Sequence, residues 1–232
     1  IKLSKREKQK AKQNAKLKIA NKQKDEIISA ISHEFKNPIA IISGYTETIL
    51  NDEQMPQPMK IRFLKKIYSN ANKMSQIVDK LRLTLKLEEG KQELILIPCS
   101  MKKLIITCIS DLKDKYKNRE ILIQGDDITL KVDETLISMA ISNLIENALK
   151  YSEDEIIVNI SDKSITIIDK GIGIEEKELE KINQKFYRIS NNGWNNSLGL
   201  GLFIVQSVLS LHNFTLKIDS VFKNGSQFSI NY

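Results

Sequence analysis

Asn51-Asp52-Glu53-Gln54-Met55-Pro56-Gln57-Pro58 is the stretch on which the fold turns. Each proline lacks a backbone N–H, and its ring clashes with the preceding turn, so two of them this close end a helix. On both sides the sequence keeps a helical period. Before the stretch, Ile27, Ile28, Ile31, Phe35, Ile42, Tyr45 and Ile49 predict one helix over 5–50, kinked at Pro38. After it, Ile61, Leu64, Ile67, Ala71, Met74, Val78, Leu81 and Leu85 predict a second helix over 61–87, stopped at Gly90. Two long amphipathic helices joined by a short loop make an antiparallel hairpin. A hairpin has no third element to cover its apolar stripe. Pairing two copies into a four-helix bundle covers it, so a homodimer is expected; the alternative is that the stripe packs on the rest of its own chain.

Further out, from Leu94, the period changes. Short β-like runs at 94–97, 121–123, 156–160, 164–169, 215–221 and 227–232 alternate with helical ones at 101–116, 134–150 and 200–211. That mixture predicts an α/β sandwich with helices on one face of a sheet. Turns at 162–163 and 223–225 make hairpins, so the sheet should be mixed and largely antiparallel. The expected fold class is α+β: a helical hairpin in a dimeric bundle, then the sandwich. The expected domains are a basic helical linker at 1–24, the hairpin at 25–90 and the sandwich at 91–232.

Charge supports that division. The 232 residues carry 36 Lys+Arg and 29 Asp+Glu, a formal charge of +7. Residues 1–24 hold ten basic side chains and one acid, for +9, which leaves the remaining 208 residues at −2. The excess therefore belongs to a tail and does not mark a nucleic-acid-binding protein. No apolar run is long enough to span a membrane. The sequence opens mid-pattern without Met and reads as part of something longer. Cys99 and Cys108 have neither metal nor disulfide spacing, which fits a reducing compartment, and His33 and His212 are the only histidines.

Four stretches carry chemistry. In Ser32-His33-Glu34-Phe35-Lys36-Asn37-Pro38, a neutral imidazole is a nucleophile near neutral pH. Glu34 can orient the ring or accept its proton, and Asn37 lies one turn on from His33. Taken alone, the commoner reading is a surface histidine beside a glutamate. In the helix 134–150, Asn143, Asn147, Lys150 and Tyr151 share a face opposite Leu144, Ile145, Ala148 and Leu149. Two amides, an ammonium and a phenol suit a hydrated magnesium ion with phosphates, or simply the polar face of an amphipathic helix. Asp169-Lys170-Gly171-Ile172-Gly173 follows a strand. Its glycines let backbone approach a flat ligand and its carboxylate can accept from an exocyclic amine, although a plain turn reads the same way. Ser197-Leu198-Gly199-Leu200-Gly201-Leu202 opens a helix, where free N–H groups meet anionic oxygens.

The order of these stretches resembles the catalytic core of bacterial sensor histidine kinases, over roughly residues 20–232. SHEFKNPI is similar to that family's H box, NLIENALKYS to its N box, DKGIGI and LGLGL to its two glycine boxes, and FYR (186–188) to its F box. The resemblance implies an ATP-dependent protein-histidine kinase with His33 as phosphoacceptor and Glu34 as general base. Asn37 is implied to orient water for removing phosphate from the partner. Asn147 would ligate Mg2+ with Asn143 in support, and Lys150 and Tyr151 would touch phosphate. Asp169 would bond adenine in a pocket shaped by Gly171 and Gly173. Phe186 belongs to the nucleotide-binding set, Gly199 and Gly201 would close on the triphosphate, and Arg188 would reach the γ-phosphate.

The implied cofactors are ATP and Mg2+. The implied partners are a second copy and a response regulator whose aspartate receives the phosphoryl group, with no nucleic acid and a membrane only through upstream segments. The implied location is the cytoplasmic part of an inner-membrane sensor. Ser197 stands where the family usually has Gly, His212-Asn213-Phe214 replaces a His-Gly-Gly, and Trp194 in the expected lid is unusual. His212 is expected to be structural. The rival readings are a nucleotide hydrolase of the same fold, a degenerate kinase acting as a dimeric scaffold, and a basic N-terminus, residues 1–24, that contacts nucleic acid or a membrane surface. Relatives that hydrolyse ATP place Glu where Asn143 stands, which favours transfer.

Overall fold

The computed structural model describes residues 5–90, 92–113, 115–189 and 198–232. The chain forms two compact units, one reaching Lys80 and the other beginning at Leu81 and including Gly199–Tyr232.

The first unit holds the helical hairpin up to Lys80. Helix α1 spans Lys5–Asn51 and continues through Pro38, and α2 spans Gln57–Glu88, so the last turns of α2 fall in the second unit. The second helix starts four residues earlier than its apolar stripe suggested. Pro58 falls in its first turn, where an N–H would have no partner within the helix, so proline fits there. Met59 and Lys60 N–H both donate to Pro56 O, at 2.9 and 3.1 Å. Tyr45, six residues before the end of α1, meets Phe63, six residues into α2, with ring centroids 4.8 Å apart. That contact closes the hairpin near its loop. Much of the expected stripe stays uncovered within one chain: Ile61, Leu64 and Val78 are 45–50% exposed, whereas Ile77 is buried.

The second unit is the sandwich. In chain order it contains β1 (Ile97–Ser100), α3 (Met101–Lys113), β2 (Ile121–Gln124), β3 (Thr129–Val132), α4 (Glu134–Tyr151), β4 (Ile156–Ile160) and β5 (Ser164–Asp169). A short α5 (Glu176–Leu179) follows, then α6 (Gly201–Leu211), β6 (Thr215–Ser220) and β7 (Ser226–Asn231). Five strands form one sheet in the order β2-β4-β5-β7-β6. The β2–β4 pair is parallel and the other three are antiparallel. Period-two burial sets its inner face. Ile156, Val158 and Ile160 point inward, Val158 pairs with Ile167, and Ile167 pairs with Phe228. Helix α4 packs against α3, α6 and β5, with Ile141, Leu144 and Ile145 fully buried.

The sandwich departs from the expected elements in several places, and the short α5 was not expected. The first strand begins at Ile97 because the Ile95 N–H is used elsewhere: it donates to Asp133 Oδ2 at 3.0 Å. Strand β3 was not expected. It carries the charged Lys131 in a four-residue run and pairs only with β1, in a separate two-stranded ladder. Helix α3 ends at Lys113 and not at 116. Among the described residues no helix is long and apolar enough to cross a membrane.

Candidate nucleotide and phosphoacceptor site

Helix α4 is the spine of the site. Asp133 caps its N-terminus, with Oδ1 accepting the Leu136 N–H at 3.1 Å. At the other end, Arg119 binds the free carbonyls: its guanidinium donates to Leu149 O, Ser152 O and Asp154 O at 3.1, 2.7 and 2.8 Å. A cation at the negative end of the helix dipole is well placed. The sheet-facing side is fixed by Leu144, Ile145, Ala148 and Leu149, all buried as the sequence predicts.

The opposite face grades from buried to open. Asn143 is buried, and its Nδ2 donates to Met139 O at 2.8 Å, which leaves Oδ1 as its available acceptor. That oxygen lies 3.3 Å from where a Cβ on Gly201 would sit, so α6 begins directly against it. Asn147 is half-buried one turn on. Lys150 lies 3.6 Å from Glu146, which also pairs with Lys115. Glu146, inside the N box, was missed by the sequence reading; its spacing of four from Lys150 was the available signal.

The Asp169–Gly173 loop crosses the end of α4. Ile172 N–H donates to Tyr151 O at 3.1 Å, and a Cβ on Gly171 would stand 2.0 Å from that same carbonyl. Asp169 is buried, and its Oδ1 accepts the Gly171 N–H at 2.8 Å. Burial pushes this carboxyl above the ordinary aspartate range, while the Gly171 and Ser226 N–H groups pull it back. On its far side the loop rests on the β6–β7 hairpin. Ile174 N–H donates to Ser220 Oγ at 2.8 Å and Lys223 N–H to Ile172 O at 2.7 Å. Gly225, read from sequence only as a turn residue, has φ +93°, and a Cβ there would lie 2.0 Å from Asp169 O. It is a site-building residue, and Ser220 is another.

The F-box stretch meets the second glycine box. Phe186 has φ +63°, uncommon for a side chain of its size, and its N–H donates to Gly199 O at 3.0 Å. A Cβ on Gly199 would come within 2.6 Å of Tyr187 O. The Tyr187 hydroxyl donates to Glu178, a buried carboxylate on α5. Arg188 is exposed, but its charge reaches the Tyr151 phenol. Burial raises that phenol's pKa and Arg188 draws it down again.

The sandwich thus brings together Asn143 with Gly201, Asp169 and Gly171 with Tyr151, and Phe186 with Gly199. On α1 of the other unit, His33 is exposed, Glu34 is buried and Asn37 is half-buried. Glu34 Oε1 has no hydrogen-bond partner among the described residues. His212 is buried and structural, as expected: Asp133 N–H donates to its Nε2 at 3.0 Å, so Nδ1 carries the proton and donates to Val208 O at 2.8 Å. Ser197 and Trp194 lie outside the described residues.

These residues fit a magnesium nucleotide. The asparagines offer amide oxygens, the donor type that a hard, hydrated cation takes, with no cluster of three His, Cys, Asp or Glu among the described residues. The Asp169 carboxylate keeps lone pairs beyond the two N–H bonds it accepts, enough for an exocyclic amine.

A family model described as His Kinase A (phospho-acceptor) domain matches residues 23–90. Another, described as Histidine kinase-, DNA gyrase B-, and HSP90-like ATPase, matches residues 132–232. The phosphate regulon sensor protein PhoR of Pseudomonas aeruginosa is 31% identical over 218 residues, covering 89% of this chain and 49% of that protein. The chain spans 30–56% of the length of the curated relatives it resembles most. Among solved structures, the histidine kinase AdeS of Acinetobacter baumannii superposes with a TM-score of 0.64 at 19% identity, over 86% of this chain and 97% of that one. Histidine kinase ThkA, solved in complex with the response regulator protein TrrA, gives 0.57 at 19% identity, over 99% of this chain and 67% of that one. With a phospho-acceptor model over its hairpin and an ATPase model over its sandwich, the chain belongs to the sensor histidine kinases.

Proposed function

We propose that the chain is an ATP-dependent protein-histidine kinase that phosphorylates His33 and passes the phosphoryl group to an aspartate of a response regulator. The observation that carries this reading is the seam along α4, where stretches 143–151, 169–173, 186–188 and 199–201 meet although they are far apart in sequence. Asp169 accepts from the adenine amine, with Gly171 and Gly173 keeping backbone close to the ring. Asn143, Asn147, Lys150 and Tyr151 face the phosphates, together with Phe186, Gly199 and Gly201 around the triphosphate, and Arg188 stands for the γ-phosphate. Asn147 holds Mg2+, which when bound neutralises phosphate charge. Phosphoryl transfer asks the protein mainly for such positioning and charge.

At the acceptor, one His33 ring nitrogen attacks the γ-phosphorus, the bond to the ADP oxygen breaks, and the other ring nitrogen gives its proton to Glu34. The buried Glu34 oxygen without a partner supports that base role. Asn37 orients water for removing phosphate from the regulator. Residues 1–24 are a helical linker, 25–90 the dimerisation and phosphotransfer hairpin, and 91–232 the ATP-binding domain. The half-exposed Ile61, Leu64 and Val78 support a homodimer. A response-regulator partner is supported by the named assembly of ThkA with TrrA. The chain acts in the cytoplasm, with any membrane attachment through upstream segments.

Incubation with γ-labelled ATP and Mg2+ tests the reading. An acid-labile, base-stable phosphoprotein is expected. Steady ATP turnover without label would instead favour a hydrolase, and nucleotide binding with neither would favour a scaffold.

A further inference from the structure

Helices α4 and α6 run antiparallel along one seam, and the seam is fastened at both ends. At one end Gly201, the first residue of α6, meets Asn143. At the other, His212 closes α6: its own N–H donates to Leu209 O at 3.0 Å, and its ring joins Asp133, the cap of α4. Both side chains and both backbone N–H groups are committed there. Asp133 N–H donates to His212 Nε2, Oδ1 takes the Leu136 N–H, and Oδ2 takes the Ile95 N–H from the segment leading into β1. His212 Nδ1–H donates to Val208 O. Asp133 and His212 are both buried, at 8% exposure. A helix of eleven residues is about 16 Å long, so a rigid α6 carries any slip at His212 to Gly201. The Cβ position on Gly201 lies 3.3 Å from Asn143 Oδ1, so the start of α6 faces that amide and a slip of α6 changes their approach.

We infer that Asp133 and His212 are positioning residues for nucleotide binding: their hydrogen bond fixes the register of α6 on α4, and so sets Gly201 against Asn143. The inference rests on the proposed function, because the seam's far end matters only if a nucleotide binds there. The bond is specific in its chemistry. It needs an acceptor at the Nε2 position, a role that the Gln amide oxygen can fill, and Asn at this position keeps only a donor near Val208 O.

The test compares wild type, His212→Asn and His212→Gln, measuring the dissociation constant for a fluorescent ATP analogue with Mg2+, and the thermal midpoint without nucleotide. Expected is tight binding by wild type, weakening by about three- to tenfold in His212→Asn, the size of one hydrogen bond, and recovery in His212→Gln. If wild type does not bind the analogue, the functional reading fails first. If wild type binds and the dissociation constants of both variants stay within about twofold of it while the midpoint falls, His212 is only a core residue and the inference is overturned. If His212→Asn does not fold, His212→Gln decides alone: binding at the wild-type level supports the acceptor role, and weakened binding in a folded His212→Gln contradicts it.

Discussion

Gly201 and Asn143 stand so close that a Cβ on the glycine would lie 3.3 Å from the asparagine's Oδ1. The amide cannot easily turn away, because its Nδ2 is bonded to Met139 O. Alanine at Gly201 would gain helix propensity, up to about 1 kcal/mol, while crowding this oxygen. The expected outcome for Gly201→Ala is a thermal midpoint near wild type with nucleotide affinity reduced about fivefold, as for a lost polar contact. Parallel melting and nucleotide titration separate the two effects.

Asp169 is expected to cost the empty domain stability. Its carboxyl is held above the ordinary aspartate value by burial, so the folded state favours the protonated form. Stability from this group is complete below the ordinary value and is lost as pH rises through the higher folded one. Asp169→Asn should therefore melt above wild type at pH 7. The gap should close as pH falls towards 4, and nucleotide should no longer raise the variant's midpoint. Melting curves across pH, with and without nucleotide, check all three points.

Gly225 holds the glycine loop from below. With φ +93° and 2.0 Å from a Cβ position to Asp169 O, no side chain fits without moving β5 or β7. Gly225→Ala should destabilise the sandwich by roughly 1–3 kcal/mol, read as a lower denaturant midpoint. Gly44 on α1 has nothing within 4 Å of its Cβ position, so Gly44→Ala should leave stability unchanged or slightly higher.

Much of this architecture was legible in sequence. The proline-marked loop gave the hairpin, and the change of period at Leu94 gave the sandwich, because helix and strand burial differ in repeat. The two hairpin turns marked two of the four antiparallel pairs, β4–β5 and β6–β7. What stayed hidden depends on contacts between distant residues. β3 has no apolar run of its own and exists because β1 pairs with it. Ile95 leaves its expected strand because Asp133 takes its N–H, a bond across 38 residues. Within the site, the motif residues were visible as types, but their partners were not: neither Gly225 under Asp169 nor Glu178 beneath Tyr187 carries a local signal.

Val78 is half-exposed on α2, in the stripe that a second copy would cover. Val78→Glu should shift sedimentation from dimer towards monomer while the isolated fold, read by far-ultraviolet dichroism, persists. A burial cost of roughly 1.5–3 kcal/mol per apolar side chain in each copy makes the shift measurable at micromolar concentration. An unchanged dimer would mean that α2 packs on something else.

The most direct measurement is to locate the phosphoryl group. After reaction with γ-labelled ATP and Mg2+, peptide mapping under alkaline conditions should place the label on His33, and His33→Ala should carry none while still binding nucleotide. A label of equal intensity in His33→Ala, or one mapped to another residue, would contradict the account.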